Sequence, residues 1–390
     1  MKENKAIIKD EVTLKDYEMP GDIRLWGVYV PDNAAEEVAK VLKSKWLNTG
    51  KQEKLFRQKF CEKFNISYCV ATPNCTASLR ASLAMLGVGP GDEVVSTPYT
   101  FIATNTSILE QGATPVFADI KYNDFTIDPD SVEKKITSKT KAIICVHYAG
   151  NACDMERLWD IGRRYNLPVI EDCAHALGSK YNGNPVGSQG DIACFSLQVV
   201  KIVNTGDGGI ISTTKEEYYK KLKKYIWYGV DRDEKATRLI DPLPDDIDIL
   251  GFKYNMNDIT ATLGIAAVDS FEIPFNRRRE VGERYRRELA DCKKVKLIQL
   301  APYQSPNYQI FPIHVENRLE FAEHMQKYSI QVNVNNRRND RYSIFGELRK
   351  DLPNLEKADN DAILLPVHYD LTDDDVTKII KAVREYDTIK

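Results

Sequence analysis

Lys201 stands in the middle of an apolar run, "CFSLQVVKIVNTGDGG" (194–209), five residues after a serine and just before a Gly, Asp, Gly, Gly turn. An ammonium group in such surroundings is costly unless it is paired or chemically used. Desolvation lowers the pKa of a lysine and frees its amine to attack a carbonyl. The plainer reading is a lysine whose stem is buried and whose head reaches solvent. Two other stretches pose the same choice. "VIEDCAHALG" (169–178) puts Asp172 after an apolar run, where it caps a loop or meets a cation in a crevice. "TPNCTASL" (72–79) joins an apolar run to a helix start. Asn74 or Thr76 is a ready N-cap there, and the free N–H groups around Cys75 and Thr76 also suit a phosphate.

Taken singly, each feature has its ordinary structural explanation. Together, and in that chain order, a phosphate cradle, a strand-end carboxylate and a buried lysine suit one cofactor. Pyridoxal phosphate carries a phosphate, a pyridine nitrogen that calls for a carboxylate, and an aldehyde that condenses with lysine.

Such residues need a scaffold that brings them to one edge. Short apolar runs alternate with helical patterns: "YCVATPN", "EVVSTP", "TPVFADI", "KAIICVHYAG", "LPVIEDC", "IACFSL" and "GGIISTT". Several are apolar throughout rather than alternating, which predicts a mostly parallel α/β sheet with helices on both faces. Ligands of such sheets bind beyond the carboxyl ends of the strands. Helical spacing covers 32–45, with Asp32 or Asn33 as cap, then 53–64 and about 76–86. After about Phe271 the character changes. A charged helix, "NRRREVGERYRRELADC" (276–292), leads to "NYQIFPIHV" (307–315) and two further helical stretches, 318–330 and 372–386. The expected organisation is a large α/β domain over 1–270, with an N-terminal helical segment, and a smaller C-terminal α+β domain over 271–390.

With 43% hydrophobic and 28% charged residues, the 390-residue chain has the composition of a soluble globular protein. A net charge of -3 gives no electrostatic case for nucleic acid, and Arg277, Arg278 and Arg279 are expected to form a solvated helix face. No apolar run approaches the roughly 20 residues of a membrane span, and "MKENKAIIKDEV" is too charged for a signal peptide. The eight cysteines form no CxxC pair, and the five histidines show no HExxH-like spacing. Free thiols in a reducing cytoplasm, and no metal site, are therefore expected.

From about Leu25 onward the sequence is similar to the DegT/DnrJ/EryC1/StrS sugar aminotransferases, fold-type I enzymes that use pyridoxal phosphate. The motifs that carry the resemblance are "WLNTG" (46–50), "NCTASL" (74–79), "GPGDEVVSTPYTFIATNTSI" (89–108), "FADI" (117–120) and "VHYAGNACDM" (146–155). "VIEDCAHALG", "FSLQVVKIVNTGDGG" (195–209), "GFKYNMNDITATLG" (251–264) and "LPVH" (365–368) continue it. The resemblance implies a cofactor site in which Lys201 forms the Schiff base and later carries the proton. It implies that Asp172 pairs with the pyridinium nitrogen, His175 meets the ring hydroxyl, and Phe101 stacks on the ring. Ser196 and the amides around Cys75 and Thr76 would hold the phosphate. Asn255 matches an asparagine that reaches that phosphate from the neighbouring subunit, which implies a homodimer with shared sites.

The implied reaction moves an amino group from an amino acid, L-glutamate, to a keto-sugar nucleotide in surface glycan or polysaccharide biosynthesis. The other acceptors considered are an inosose or a small phosphorylated ketone. Two departures bear on the acceptor and leave the cofactor chemistry intact: "IWYG" puts Tyr228 where the family often has histidine, and "Ser-Leu-Gln" (196–198) replaces "Ser-Phe-His". Trp46, Tyr148 and the basic stretch "NNRRNDRYSIFG" (335–346), with Arg337, Arg338 and Arg341, are the candidate acceptor contacts. Lys201 speaks against the family's dehydratase branch, where histidine replaces it. Together with Asp172 and Ser196 it also speaks against a non-catalytic binding protein. "GVGPGD" (87–92) lacks the GxGxxG spacing of a nicotinamide oxidoreductase.

Overall fold

A computed structural model describes residues 23–232 and 246–389. The segment "MKENKAIIKDEV" lies outside the described residues.

Seven strands form the central sheet: β1 (Tyr68–Thr72), β2 (Glu93–Ser96), β3 (Thr114–Phe117), β4 (Thr140–Val146), β5 (Val169–Asp172), β8 (Ile192–Ser196) and β9 (Gly209–Thr213), in the order β1-β9-β8-β5-β4-β2-β3. The two-residue strands β6 (Lys180–Tyr181) and β7 (Asn184–Pro185) form a separate small sheet with β11 (Gln304–Ser305). Every strand of the central sheet runs parallel except β9, which is antiparallel to both neighbours. The uniformly apolar strands follow from burial on two sides. Along β4, Ile143 and Cys145 enter one core, with Phe56, Phe60 and Phe195, while Ala142 and Ile144 enter another, with Leu79, Leu83 and Ile170. Successive strand residues point to opposite faces, so a sheet covered on both faces shows no alternation.

The covering helices begin with α1 (Ala34–Ser44), α2 (Lys51–Phe64), α3 (Cys75–Met85) and α4 (Ile102–Leu109). They continue with α5 (Pro129–Lys134), α6 (Met155–Tyr165), α7 (Glu216–Tyr225) and α8 (Asp258–Asp269). Helix α8, "DITATLGIAAVD", is apolar nearly all round and packs between other elements, so its sequence shows little periodicity. Its buried Asp258 carboxylate accepts from the backbone N–H groups of Gly50 (2.7 Å) and Glu53 (3.0 Å), satisfying the free donors at the start of α2.

The C-terminal part starts with α9 (Glu272–Glu288) and holds a second sheet, in which β12 (Phe311–Val315) lies between β10 (Val295–Leu297) and β13 (Ala362–Leu365). Helices α10 (Arg318–Gln326), α11 (Pro353–Asp361) and α12 (Asp373–Thr388) accompany it. Val281, Tyr285, Phe321, Ile379 and Val383 share a core of their own there. A capping box between Thr372 and Asp375 starts α12.

One expectation fails in this region. The arginine trio is not a solvated face. Arg278 is 3% exposed, and its guanidinium donates to the carbonyl oxygens of Gln309 (2.8 Å), Val367 (2.8 Å) and Val200 (3.1 Å). Arg277 donates to Leu371 O (3.0 Å), and Arg279 to Ser305 Oγ (3.0 Å). Three carbonyls around a buried guanidinium offset part of its lost hydration. Among the described residues no helix is long and apolar enough to cross a membrane.

Candidate active site

The carboxyl ends of β1, β5 and β8 open onto a cavity of about 450 Å³, which is also lined by Gln309, Ile310, Asn335 and Asn336 of the C-terminal part. Seven of the residues singled out from the sequence line this one space: Cys75, Thr76, Phe101, Asp172, His175, Ser196 and Lys201. Local geometry explains how each arrives. Asn74 caps α3 by accepting from Ala77 N (2.8 Å), so the ordinary reading of this residue holds. The cap aims the helix N-terminus, with Cys75 and Thr76, into the cavity. Where β9 enters beside that turn there is no room for a side chain: a Cβ on Gly209 would lie 2.6 Å from the Asn74 carbonyl carbon and from Thr72 Oγ1. Phe101 is the N-cap residue of α4, is 63% exposed, and lines the cavity, a large apolar side chain available to a ligand.

Asp172 ends β5 and is buried. Its Oδ2 accepts from Thr104 Oγ1 (2.8 Å) and its Oδ1 from Ala174 N (3.1 Å). Burial pushes this carboxyl above its usual range, and the two donors pull the other way. Lys201 follows β8 in a loop pinned by Leu197, whose N–H donates to Gly208 O (2.8 Å) and whose carbonyl accepts from Thr205 N (2.9 Å). Among the described residues its ammonium has no ion pair. Burial lowers its pKa to about 8, against the opposing pull of Cys75 and Asp172. His175 is held well below its usual pKa by burial and by Lys201, so its ring is neutral. Its Nδ1 is buried without a hydrogen-bond partner among the described residues.

Behind Asp172 lies a strut that spacing alone did not reveal. His147 Nδ1 accepts from Cys153 N (3.0 Å), which leaves the proton on Nε2 to donate to Glu171 Oε2 (3.0 Å). His147, Glu171 and Cys173 are close enough to suggest a metal cluster, but both imidazole nitrogens are already engaged. The group braces β4 against β5. A further residue that sequence reasoning missed is Arg278. With Gln309 Nε2 (2.9 Å), it fixes the carbonyl of Val200, the residue before Lys201. A signal existed: Arg278, Val281 and Tyr285 share one helical stripe, and all three are buried.

The remaining expected contacts part company with the cavity. Tyr148 is core packing rather than cavity wall, its buried ring 4.9 Å from that of Tyr99 and 5.9 Å from that of His175. Arg338 is 0% exposed and bonded to Asp340 (2.7 Å) and Glu356, so it cannot meet an acceptor. Arg341 is taken up by Asp359 (2.6 Å). Arg337 is exposed, next in sequence to Asn336, and forms no ion pair among the described residues. Trp46, 61% exposed, does not line this cavity of its own chain. Asn255 also lies elsewhere, its amide donating to Thr49 Oγ1 and, at 3.4 Å, to Asn48 Oδ1. A second cavity, of about 510 Å³, opens at the amino ends of β5 and β8, but its Lys215 is already paired with Asp191 (2.7 Å). Size favours that cavity; the chemistry favours the first.

The residues of the first cavity fit pyridoxal phosphate. A helix N-terminus with a serine hydroxyl beside it suits the phosphate. The orphaned His175 Nδ1 lacks a partner that a ring hydroxyl would supply. An unpaired lysine of lowered pKa and a buried carboxylate complete the donor set.

A fold-type I transferase fold with this donor set defines the class. The chain belongs to the DegT/DnrJ/EryC1/StrS aminotransferase family, whose profile matches residues 30–384. Among curated relatives it is 32% identical, over 89% of its own length and 94% of the other, to the UDP-4-amino-4-deoxy-L-arabinose–oxoglutarate aminotransferase of Shewanella sediminis. Among solved structures it resembles AtS13 of Actinomadura melliaura, with 31% identity and a TM-score of 0.89, covering 94% of this chain and all of that one. The putative sugar aminotransferase Spr1654 of Streptococcus pneumoniae, solved in its PMP form, matches at 28% identity with a TM-score of 0.87 over 94% and 99% of the two chains.

Proposed function

We propose that this aminotransferase uses pyridoxal phosphate to move an amino group from L-glutamate to a keto-sugar nucleotide, in the synthesis of a surface glycan or polysaccharide. One observation carries the reading: an unpaired lysine of lowered pKa shares a cavity with a buried carboxylate at the edge of a parallel sheet. The cofactor supplies an electron sink. The chain's residues do the rest. Cys75, Thr76 and Ser196 bind the phosphate, Phe101 covers one face of the ring, and neutral His175 meets the ring hydroxyl. Asp172 holds the ring nitrogen protonated. Lys201 Nζ would hold the cofactor through its aldehyde and, as a free amine, would move a proton during the reaction.

The sugar-nucleotide acceptor is supported by the UDP-sugar activity named for the Shewanella relative. Arg337 is the remaining basic residue of 335–346 free to meet an acceptor anion. A homodimer is supported by the exposed apolar residues Leu42, Trp46 and Leu47 beside Asn48 and Thr49, which hold Asn255. In such a dimer Asn255 of the partner subunit reaches the phosphate. The test is to load the protein with pyridoxal phosphate, add glutamate, and follow the loss of the visible band. Amino-sugar nucleotides and small phosphorylated amines are offered separately to fresh pyridoxal phosphate-loaded protein, each as the amino product of the reverse reaction. Loss of the band with an amino-sugar nucleotide alone supports the reading; loss only with a small phosphorylated amine overturns the acceptor.

A further inference from the structure

Asp172 receives its donor from an unusual source, a second hydroxyl that is itself hydrogen-bonded. Thr104 Oγ1 lies 2.8 Å from Asp172 Oδ2 and 2.9 Å from Thr100 Oγ1, and all three residues are buried. The directions of the protons follow from counting. An ionised carboxylate only accepts, so the single Thr104 proton must point at it. Thr104 then has only lone pairs to offer Thr100, and Thr100 must be the donor to Thr104. A protonated Asp172 would permit the reverse order, so the pair of hydroxyls favours one charge state of the carboxyl. Thr100 is anchored in turn: its carbonyl accepts from Asn339 Nδ2 (2.9 Å), and Asn105 Nδ2 joins Thr97 O (2.9 Å) to Asn339 Oδ1 (2.7 Å). The chain of contacts runs from the C-terminal segment through the start of α4 to the strand-end carboxylate.

We propose that Thr104, supplied by Thr100, is a positioning residue that keeps Asp172 ionised and aimed at the cofactor's ring nitrogen. The inference rests on the pyridoxal phosphate reading above. Without the Thr104 donor the buried carboxyl takes up a proton more readily, and the ring nitrogen then holds its proton less well. A less protonated ring withdraws fewer electrons from the Lys201–cofactor bond, so that bond keeps its proton to higher pH.

The experiment compares wild type, Thr104→Val and Thr104→Ser, each loaded with pyridoxal phosphate, by titrating the visible band against pH and by measuring kcat and KM. Valine keeps the shape and removes the donor; serine restores the donor. In Thr104→Val the midpoint of the band moves up by at least about half a pH unit, and kcat falls roughly 10- to 100-fold with little change in KM. Thr104→Ser returns both to near the wild-type values. Thr100→Val, which leaves Thr104 in place, gives a smaller shift in the same direction and serves if the first variant does not fold. An unmoved midpoint in both valine variants, or a serine variant as impaired as valine, overturns the proposal. A wild-type protein that takes up no pyridoxal phosphate overturns the cofactor reading beneath it instead.

Discussion

Two basic segments flank the same cavity and meet different fates. Among the described residues no carboxylate lies within ion-pair reach of Lys201, and burial lowers its pKa to about 8. Around Arg338 the chain offers Asp340 and Glu356, and nearby Arg341 has Asp359. A cation already matched by carboxylates, as buried Arg338 is by buried Asp340, is structure; one held without a partner is available for chemistry. In the sequence the clustered arginines are candidate acceptor contacts, and the lysine, taken singly, reads equally as one whose head reaches solvent. Partners decide between them, and partners come from distant parts of the chain.

The largest expected effect lies on the unpaired side. Lys201→Ala should cut transamination at least about 1,000-fold, the upper part of the range for a lost acid–base group, and should remove the visible band. Normal turnover in that variant would erase the contrast. On the paired side, Arg338→Met should leave Asp340 buried without its counter-charge. It should cost about 3–5 kcal/mol of stability, read as a lower urea midpoint. An unchanged midpoint would show that the pair is not buried in solution. The pH dependence sharpens the comparison further. Only the neutral amine attacks an aldehyde, so uptake of pyridoxal phosphate by the cofactor-free protein should rise with pH and level off above about 8. A rate still climbing at pH 10 would mean that Lys201 is an ordinary solvated lysine. The smallest effect belongs to Arg337→Ala, which should raise KM for the acceptor several-fold and change stability by less than about 0.5 kcal/mol.

Much of this arrangement is legible in the sequence because it is local. Apolar runs of strand length announce the central sheet, and the polar residue after each run marks its carboxyl end. Asp172, Lys201 and the α3 N-terminus are therefore visible as sites before any fold is known. What escapes is what depends on contacts between distant segments. Helix α8 is buried on most sides and shows no amphipathic stripe. His147 and Glu171 meet across neighbouring strands. Arg278 hides inside a charged trio, although its register with Val281 and Tyr285 betrays a buried face. Tyr148, in a family motif and near the site, is a buried ring 5.9 Å from that of His175, a contact between distant segments that the motif does not announce.

The claim on which the rest depends is that Lys201, and no other lysine, bonds the cofactor aldehyde. Borohydride reduction of the pyridoxal phosphate-loaded protein, followed by peptide mass mapping, tests it directly. The account predicts one phosphopyridoxyl group per chain, on the peptide that contains Lys201, with prior addition of glutamate preventing the label. A label on another lysine, or none at all, would contradict it.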